Sequence, residues 1–112
     1  MKRIEVVIRP SKLEDVKKLM SLEWVAGLSV CEVKGRGRHE GQTAVYRGAE
    51  VEVEMLPRLK VEMVVPDPLV PRVLHDLLPL VRTGRAGDGK IFVTHVEEAV
   101  RIRTGERGES AL

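Results

Sequence analysis

Four short runs of alternating apolar and polar residues, separated by two helix-like stripes, set the strongest limit on how this 112-residue chain can fold. The runs cover residues 2–9, 28–34, 58–65 and 91–96, and their period of two predicts strands. Apolar residues recur at helical spacing after the first run and after the third. The order β-α-β-β-α-β predicts an α+β, ferredoxin-like sandwich, and the length predicts a single domain over residues 1–112.

Local signals predict where the two helices begin and end. Ser11 followed by Glu14 predicts a capping box at the start of the first helix, and Gly27 predicts its end. Asp67, which a proline follows, predicts the N-cap of the second helix. Pro79 is expected to kink that helix or to end it early, because proline lacks the amide proton that a helix interior needs.

The chain also carries two glycine-rich connections. Residues 35–57 are polar and are predicted to form a long loop, with a transiently extended part at 51–55. Residues 82–90 form the second connection. A loop as long as the first is usually functional in so small a domain.

The sheet face turned away from the helices is predicted to mix apolar and charged side chains. Contiguous apolar area is rarely left exposed on a monomer, so this face is expected to be buried against another subunit. An ordinary solvated sheet face is the alternative. By strand alternation this face carries Val7, Val64 and Phe92 alongside Glu5, Arg9, Lys60 and Glu62.

Composition excludes several classes of protein. Lys and Arg number 19 against 17 Asp and Glu, a net charge of +2, which is too small to argue for a polyanionic partner. The single cysteine, Cys31, excludes an internal disulfide framework and fits a reducing compartment. No apolar run reaches the roughly 18 residues of a membrane helix, and the N-terminus lacks the design of a signal peptide. We therefore expect a cytoplasmic domain.

The second glycine loop nearly spells the phosphate-binding loop of ATPases, with Gly84 followed after four residues by Gly89 and Lys90. Ile91 stands where that motif needs a hydroxyl for magnesium, and a predicted strand follows in place of a helix. The ATPase motif is therefore rejected. A simpler anion site remains, because glycine amides can converge on an anion while Lys90 supplies positive charge.

Two further basic elements favour an anionic ligand. Arg101 and Arg103 are two residues apart and would point the same way on an extended segment. The stretch 35–38 reads Gly-Arg-Gly-Arg just after a predicted strand. A solvated basic patch and a plain turn are the ordinary alternatives, but three such elements in one small domain favour an anion.

Several of these motifs together carry a family resemblance. Residues 83–93 read TGRAGDGKIFV, residues 46–50 read YRGAE, and residues 101–106 read RIRTGE. With Glu-Val-Lys-Gly at 32–35, they make the chain closely resemble the P-II nitrogen-regulatory signal transduction proteins. The resemblance covers essentially the whole chain.

The resemblance implies a homotrimer that binds ATP or ADP competitively in the clefts between its subunits, with Mg²⁺ accompanying ATP. Gly87, Asp88, Gly89 and Lys90 would cradle the phosphates, and Arg101 and Arg103 would come from the neighbouring subunit. Ser29 and Val64 would line the adenine pocket. The remaining implied contacts, at the base of the long loop, are Gly35, Gly37 and Arg38.

The resemblance further implies a non-enzymatic sensor whose long loop, residues 36–54, docks onto regulated proteins. Such partners include an ammonium channel, nitrogen-metabolism enzymes and regulators. Neither a nucleic acid nor a resident metal is expected, and membrane contact would arise only through a channel. The core of the docking loop would be Tyr46, Arg47, Gly48, Ala49, Glu50 and Val51.

Four of the departures from the family pattern concern effector binding and covalent modification. His39 replaces a glutamine that helps to hold magnesium and 2-oxoglutarate, and Arg58 replaces a lysine that contacts the 2-oxoglutarate carboxylate. Val51 and Ala49 lack the hydroxyl groups that are covalently modified in some members. The alternative is therefore a divergent regulator of another transporter or enzyme, with a different effector.

Two hypotheses of other classes rank low. An RNA-binding ferredoxin-like domain needs several aromatic residues on its central strands, and only Phe92 is there. An ATPase would use Asp88 to orient water beside a phosphate.

Overall fold

The computed structural model describes residues 1–23, 25–38, 43–46, 48–52 and 55–112 of the chain. Its helices and strands in chain order are β1 (Lys2–Ile8), α1 (Leu13–Lys17), β2 (Ser29–Gly35), β3 (Thr43–Tyr46), β4 (Ala49–Glu52), β5 (Leu56–Val65), α2 (Val70–Val81) and β6 (Lys90–His95). Short 3₁₀ turns lie at Pro10–Lys12, Lys18–Ser21, Asp67–Leu69 and Gly108–Ala111.

Four strands form one antiparallel sheet in the order β2-β5-β1-β6. The first strand lies inside the sheet and pairs on both sides, so that Ile4 stands opposite Met63 on β5 and Val93 on β6. This strand order, with helices after the first and third strands of the sheet, is the ferredoxin-like arrangement. The predicted α+β fold class is confirmed.

The core lies between the sheet and the two helices. Every second residue of β1 points into it, because successive side chains of a strand face opposite sides of a sheet. Val73 and Leu77 of α2 are fully buried against these residues, and Val16 and Leu19 are almost as deeply buried. The full core cluster is Ile4, Val6, Ile8, Val16, Leu19, Leu59, Val61, Met63, Val65, Val73, Leu77 and Val81.

The first helical region differs from its sequence prediction at both ends. No capping box forms: neither Arg9, which caps the 3₁₀ turn, nor Lys12, which caps α1, makes a side-chain cap. Glu14 instead accepts a hydrogen bond of 2.9 Å from Lys17. Helical turns end at Ser21, well before residue 27, and the Ser21 hydroxyl donates to the Lys18 carbonyl at 2.7 Å. Such a bond competes with the backbone donors that would continue a helix.

The second helix corrects two further predictions. Asp67 does not cap α2, because its carboxylate lies 2.9 Å from the amino group of Met1 and the helix begins at Val70. Pro79 does not end the helix, which continues through it to Val81. A proline in the last turn removes one backbone hydrogen bond, while the buried Leu77 and Val81 keep the turn packed on the core.

The long polar stretch is not a plain loop. Within it, β3 and β4 pair as an antiparallel hairpin in which Tyr46 stands opposite Ala49. Gly48 lies in the turn with a φ of +79°, a conformation that glycine adopts without strain. The sequence prediction recognised only the extended tendency of residues 51–55.

The sheet face opposite the helices is called the open face below. It carries the residues that alternation predicted except Arg9, which lies beyond the end of β1 at Ile8 and bonds to the loop before β6. Glu5 stands opposite both Glu62 and Phe92, and Val7 stands opposite both Lys60 and Lys90. Phe92 is 49% exposed, the other residues of this group being half-buried or exposed. No helix within the described part of the chain is long and apolar enough to cross a membrane.

The loop between α2 and β6 is seated directly on β1 through Gly89. Its φ is +102°, and a Cβ built at this position would lie 1.7 Å from the carbonyl oxygen of Val7. No side chain fits there unless the backbone moves. The loop can therefore lie against β1 only because residue 89 is glycine.

We expect Gly89→Ala to lower stability more than Gly84→Ala does. Both glycines have positive φ, which costs an alanine about 1–2 kcal/mol, but nothing lies within 4 Å of a Cβ at Gly84. The additional loss of stability in Gly89→Ala therefore measures the steric clash of the added Cβ with β1. Urea unfolding of the three proteins at one concentration gives the comparison. Equal losses in the two variants would contradict the close approach.

Candidate anion-binding site

One pocket on the open face brings together both glycine-rich elements of the sequence. It has a volume of about 190 Å³ and is called the glycine pocket below. The end of β2 supplies one wall, the start of β6 the opposite wall, and β5 and β1 the floor. It is lined by Val7, Gly35, Arg36, Gly37, Arg58, Gly89, Lys90 and Phe92.

Three basic side chains line the glycine pocket. They are Arg36, Arg58 and Lys90, and none of its lining residues within the described part of the chain is Asp or Glu. Arg58 is only 7% exposed, and its guanidinium donates to the Pro57 carbonyl at 2.9 Å. Fixed cations in a concave, partly dry site strengthen the attraction for an anion.

Other predicted site residues lie outside the glycine pocket. Ser29 and Val64 share the open face with it, at positions opposite Glu62 and Arg3. Arg38 lies just after the pocket-lining Gly37 and is exposed. His39 and Arg47 fall outside the described residues.

Three pocket residues were not predicted as site residues. Val7, Arg36 and Phe92 line the glycine pocket beside the predicted ones. Alternation had already assigned Val7 and Phe92 to the open face. The missing information was the register, which sets Val7 opposite Lys90.

Asp88 organises the loop without lining the glycine pocket. One carboxylate oxygen accepts hydrogen bonds of 2.8 Å from the amides of Thr83 and Gly84. The other accepts from the Thr83 hydroxyl and, at 3.1 Å, from Nε of Arg9. The Thr83 hydroxyl above all, with the two amides and Arg9, holds the pKa of Asp88 well below its ordinary value. Its carboxylate is thus committed to the loop.

The C-terminal arginines do not lie on an extended segment, as the sequence analysis expected. Residues 102–104 form a turn, closed by hydrogen bonds from the amide of Gly105 to Arg101 at 2.7 Å and from the amide of Arg101 to Glu106 at 2.9 Å. Gly105 has a φ of +74°, which permits this turn. The Arg101 guanidinium contacts the Glu106 carboxylate at 2.7 Å and the Leu112 carbonyl at 2.9 Å.

The remaining predicted residues lie in the glycine loop and in the β3–β4 hairpin. Gly87 lies in the glycine loop with a φ of +92°. Gly48 to Val51 and Tyr46 belong to the β3–β4 hairpin. Among the described residues, no three His, Cys, Asp or Glu side chains gather to hold a metal ion.

Asp88→Asn is expected to unfold at lower urea than the wild-type protein at neutral pH, with a difference that shrinks below a pH of about 4. The pKa of the Asp88 carboxyl is lowered in the folded protein, so its carboxylate contributes fully to the free energy of unfolding above its pKa in the unfolded chain, about 3.9. This contribution is lost as the pH falls through the folded pKa. Urea midpoints between about pH 7 and about pH 3 measure this.

Asp76→Asn is the control for that experiment. Asp76 lies 3.6 Å from Arg72 at the surface of α2, and exposed ion pairs contribute little. A deficit of Asp88→Asn that stays constant across the whole pH range would contradict the assignment.

The chain is similar to known proteins over its full length. The family model for the nitrogen regulatory protein P-II matches residues 1–106. Proteins named nitrogen regulatory protein P-II from Haemophilus influenzae and Azospirillum brasilense are 50% and 51% identical to it over 112 residues, the full length of both chains in each pair. Nitrogen regulatory protein P-II 1 of Escherichia coli strain K12 is 46% identical over the same length.

Both the glycine loop and the Arg101 turn lie within the matched range. The family model matches nearly the whole chain, and full-length relatives are identical to it at about half of their positions. These two findings assign the chain to one protein family. The chain belongs to the P-II family of nitrogen regulatory proteins and is a regulator of nitrogen signalling.

Proposed function

We propose that this regulator senses ATP against ADP, which compete for the glycine pocket, and relays the result through residues 36–54. The observation that carries this proposal is the convergence of Arg36, Arg58 and Lys90 with glycine backbone on one concave site. Glycine amides and fixed cations are the groups that recognise phosphates. Among small metabolites, a nucleotide supplies such phosphates together with an apolar base.

In the proposed site the phosphates lie over Gly87, Gly89 and Lys90, and the base lies toward Ser29 and Val64. Ser29 and Val64 share the open face with the pocket, and Val7, opposite Lys90, offers an aliphatic side chain beside it. Aliphatic side chains would then hold the adenine in place of stacked rings. Asp88 contributes through the shape of the loop.

A magnesium ion fits this site as a companion of ATP. Mg²⁺ is usually held by substrate phosphates with one or two protein oxygens and retains several waters. The cations that line the glycine pocket suit phosphate oxygens and do not themselves ligate a metal. When bound, the ion would neutralise phosphate charge, and the protein's residues would bind and orient the nucleotide.

The functional unit that we propose is a homotrimer with its open faces inside. Val7, Val64 and the half-exposed Phe92 would be covered there, with Glu5 and Glu62 paired to basic groups. Arg101 and Arg103 would reach the nucleotide of a neighbouring subunit. This requires the Arg101 guanidinium to share its contacts with Glu106 or to leave them.

The output of the sensor is proposed to be the β3–β4 hairpin and its flanking residues. They would dock onto an ammonium channel, a nitrogen-metabolism enzyme or a regulator in the cytoplasm, which the family membership supports. Val51 and Ala49 carry no hydroxyl group, so the switching signal would be the ligand alone at these positions. We propose no enzymatic activity, because Arg9, Thr83 and Gly84 occupy the carboxylate of Asp88.

Isothermal titration is expected to show one class of site that takes either ATP or ADP. Lys90→Ala should weaken the affinity for ATP by about tenfold or more, since a hydrogen bond to a charged group contributes roughly 1.5–3 kcal/mol. Both Lys90→Ala and Arg103→Ala should lower the affinity for ATP more than the affinity for AMP. Lys18→Ala is the control, because Lys18 lies on the helical side and pairs with Asp15 at 3.2 Å. Absence of binding at millimolar nucleotide would overturn the proposal.

A divergent effector is the second candidate, and Arg58 is the observation that favours it. Its guanidinium is buried, lines the glycine pocket and is held at Pro57, so it presents a different shape from a lysine. It can still grip a carboxylate.

Titration with 2-oxoglutarate in the presence of Mg²⁺ and ATP separates the two candidates. If 2-oxoglutarate is the effector, binding should depend on Mg²⁺ and weaken in Arg58→Gln. Arg72→Gln on the outer side of α2 is the matched control. Tight, magnesium-dependent binding removes the main support for another effector, whereas no binding supports it.

A further inference from the structure

Arg9 joins the end of β1 to the glycine loop nearly 80 positions later. Its Nε lies 3.1 Å from Oδ1 of Asp88, and its Nη2 donates to the Ala86 carbonyl at 2.6 Å. The Arg9 and Asp88 side chains are only 15% and 23% exposed. Arg9 belongs to none of the glycine or arginine motifs of the sequence. We call this ion pair with its bond to Ala86 the clasp.

The clasp addresses an electrostatic conflict in the sequence of the loop. Residues 87–90 read Gly-Asp-Gly-Lys, so a carboxylate lies between the glycines that are proposed to receive phosphates. A negative charge at this point would repel an anion, and more strongly as the anion carries more charge. An acidic residue here is therefore compatible with a phosphate site only if its charge is compensated and turned away.

The structure provides both conditions. Gly89 and Lys90 line both the glycine pocket and a cleft of about 420 Å³ between α2 and β6, whereas Asp88 lines that cleft and not the glycine pocket. In that orientation its carboxylate receives the amides of Thr83 and Gly84 and the guanidinium of Arg9. Of these donors, Arg9 is the one that carries a full positive charge.

We propose that Arg9 is a positioning residue for the anion site. It neutralises Asp88 and holds the loop on β1, so that the backbone of Gly89 and the ammonium group of Lys90 face the ligand. Arg9 itself does not line the glycine pocket. This inference rests on the proposed nucleotide binding. It adds a second contact between the loop and the β1 region, the first being the close approach of Gly89 to the Val7 carbonyl.

The test uses the dependence of affinity on ligand charge, which a purely structural role would not produce. In Arg9→Gln the charge of Asp88 loses its partner, so the loss of affinity should grow from AMP through ADP to ATP. We expect about twofold or less for AMP and about tenfold or more for ATP, measured by isothermal titration. Arg9→Lys keeps the charge and should recover most of the ATP affinity.

Removal of both charges provides the second arm. In the double variant Arg9→Gln/Asp88→Asn no uncompensated carboxylate remains at residue 88. The loss of affinity should therefore become similar for AMP, ADP and ATP, even if the loop is less ordered. Hydrogen exchange of residues 83–90 without ligand should rise in Arg9→Gln. Arg72→Gln, an exposed arginine paired with Asp76, is the control and should leave both measurements unchanged.

The outcomes separate this inference from the proposed function. If the wild-type protein binds no nucleotide, the proposed function is overturned, and the anion-site role of Arg9 with it. If the wild-type protein binds but Arg9→Gln weakens AMP, ADP and ATP equally, or not at all, only the role of Arg9 is overturned. Should Arg9→Gln fail to fold, Arg9→Lys compared with Asp88→Asn still decides. Arg9→Lys should keep the ratio of ATP affinity to AMP affinity near its wild-type value, whereas Asp88→Asn, which leaves the charge of Arg9 uncompensated, should raise it; equal ratios in the two variants would overturn the role of Arg9.

Discussion

The pairing of β1 on both of its sides is the constraint on which the remaining structure depends. Because β1 lies between β5 and β6, its alternation assigns Ile4, Val6 and Ile8 to the core and Glu5 and Val7 to the open face. A shift of one residue in either pairing would exchange these two sets. Such a shift would expose the buried residues that pack against α2, which costs free energy. Packing on the helical side of the sheet therefore also determines which residues lie on the open face.

The same strand determines where the glycine loop lies. The Val7 carbonyl leaves room only for a glycine at 89, and Arg9, one residue past the strand, holds Asp88 and Ala86. Both contacts anchor the loop to the most internal element of the fold. A site built on a rigid strand can keep its donors in place before the ligand arrives, which lowers the free energy that binding would otherwise spend on ordering the loop.

Sequence reasoning succeeded where a single physical rule applied and failed where two rules competed. The four strands of the sheet follow from apolar alternation, and burial enforces it. The capping box at Ser11, the N-cap at Asp67 and the early stop at Pro79 were wrong because tertiary contacts overrode local preferences: the amino group of Met1 takes Asp67, and the core holds the turn that contains Pro79. The β3–β4 hairpin was missed because each of its strands is only four residues long and lies within a polar, glycine-rich stretch.

The fold class, the glycine and arginine motifs and the family resemblance could be predicted from residue type and spacing along the chain. Which of these motifs meet in space depends on the folded arrangement. It brought Gly35 and Gly37 next to Gly89 and Lys90, left Arg101 in a turn with Glu106, and joined Arg9 to Asp88. The physical reason is that strand order and register set distances between residues far apart in sequence, and alternation within one strand carries no information about its neighbours.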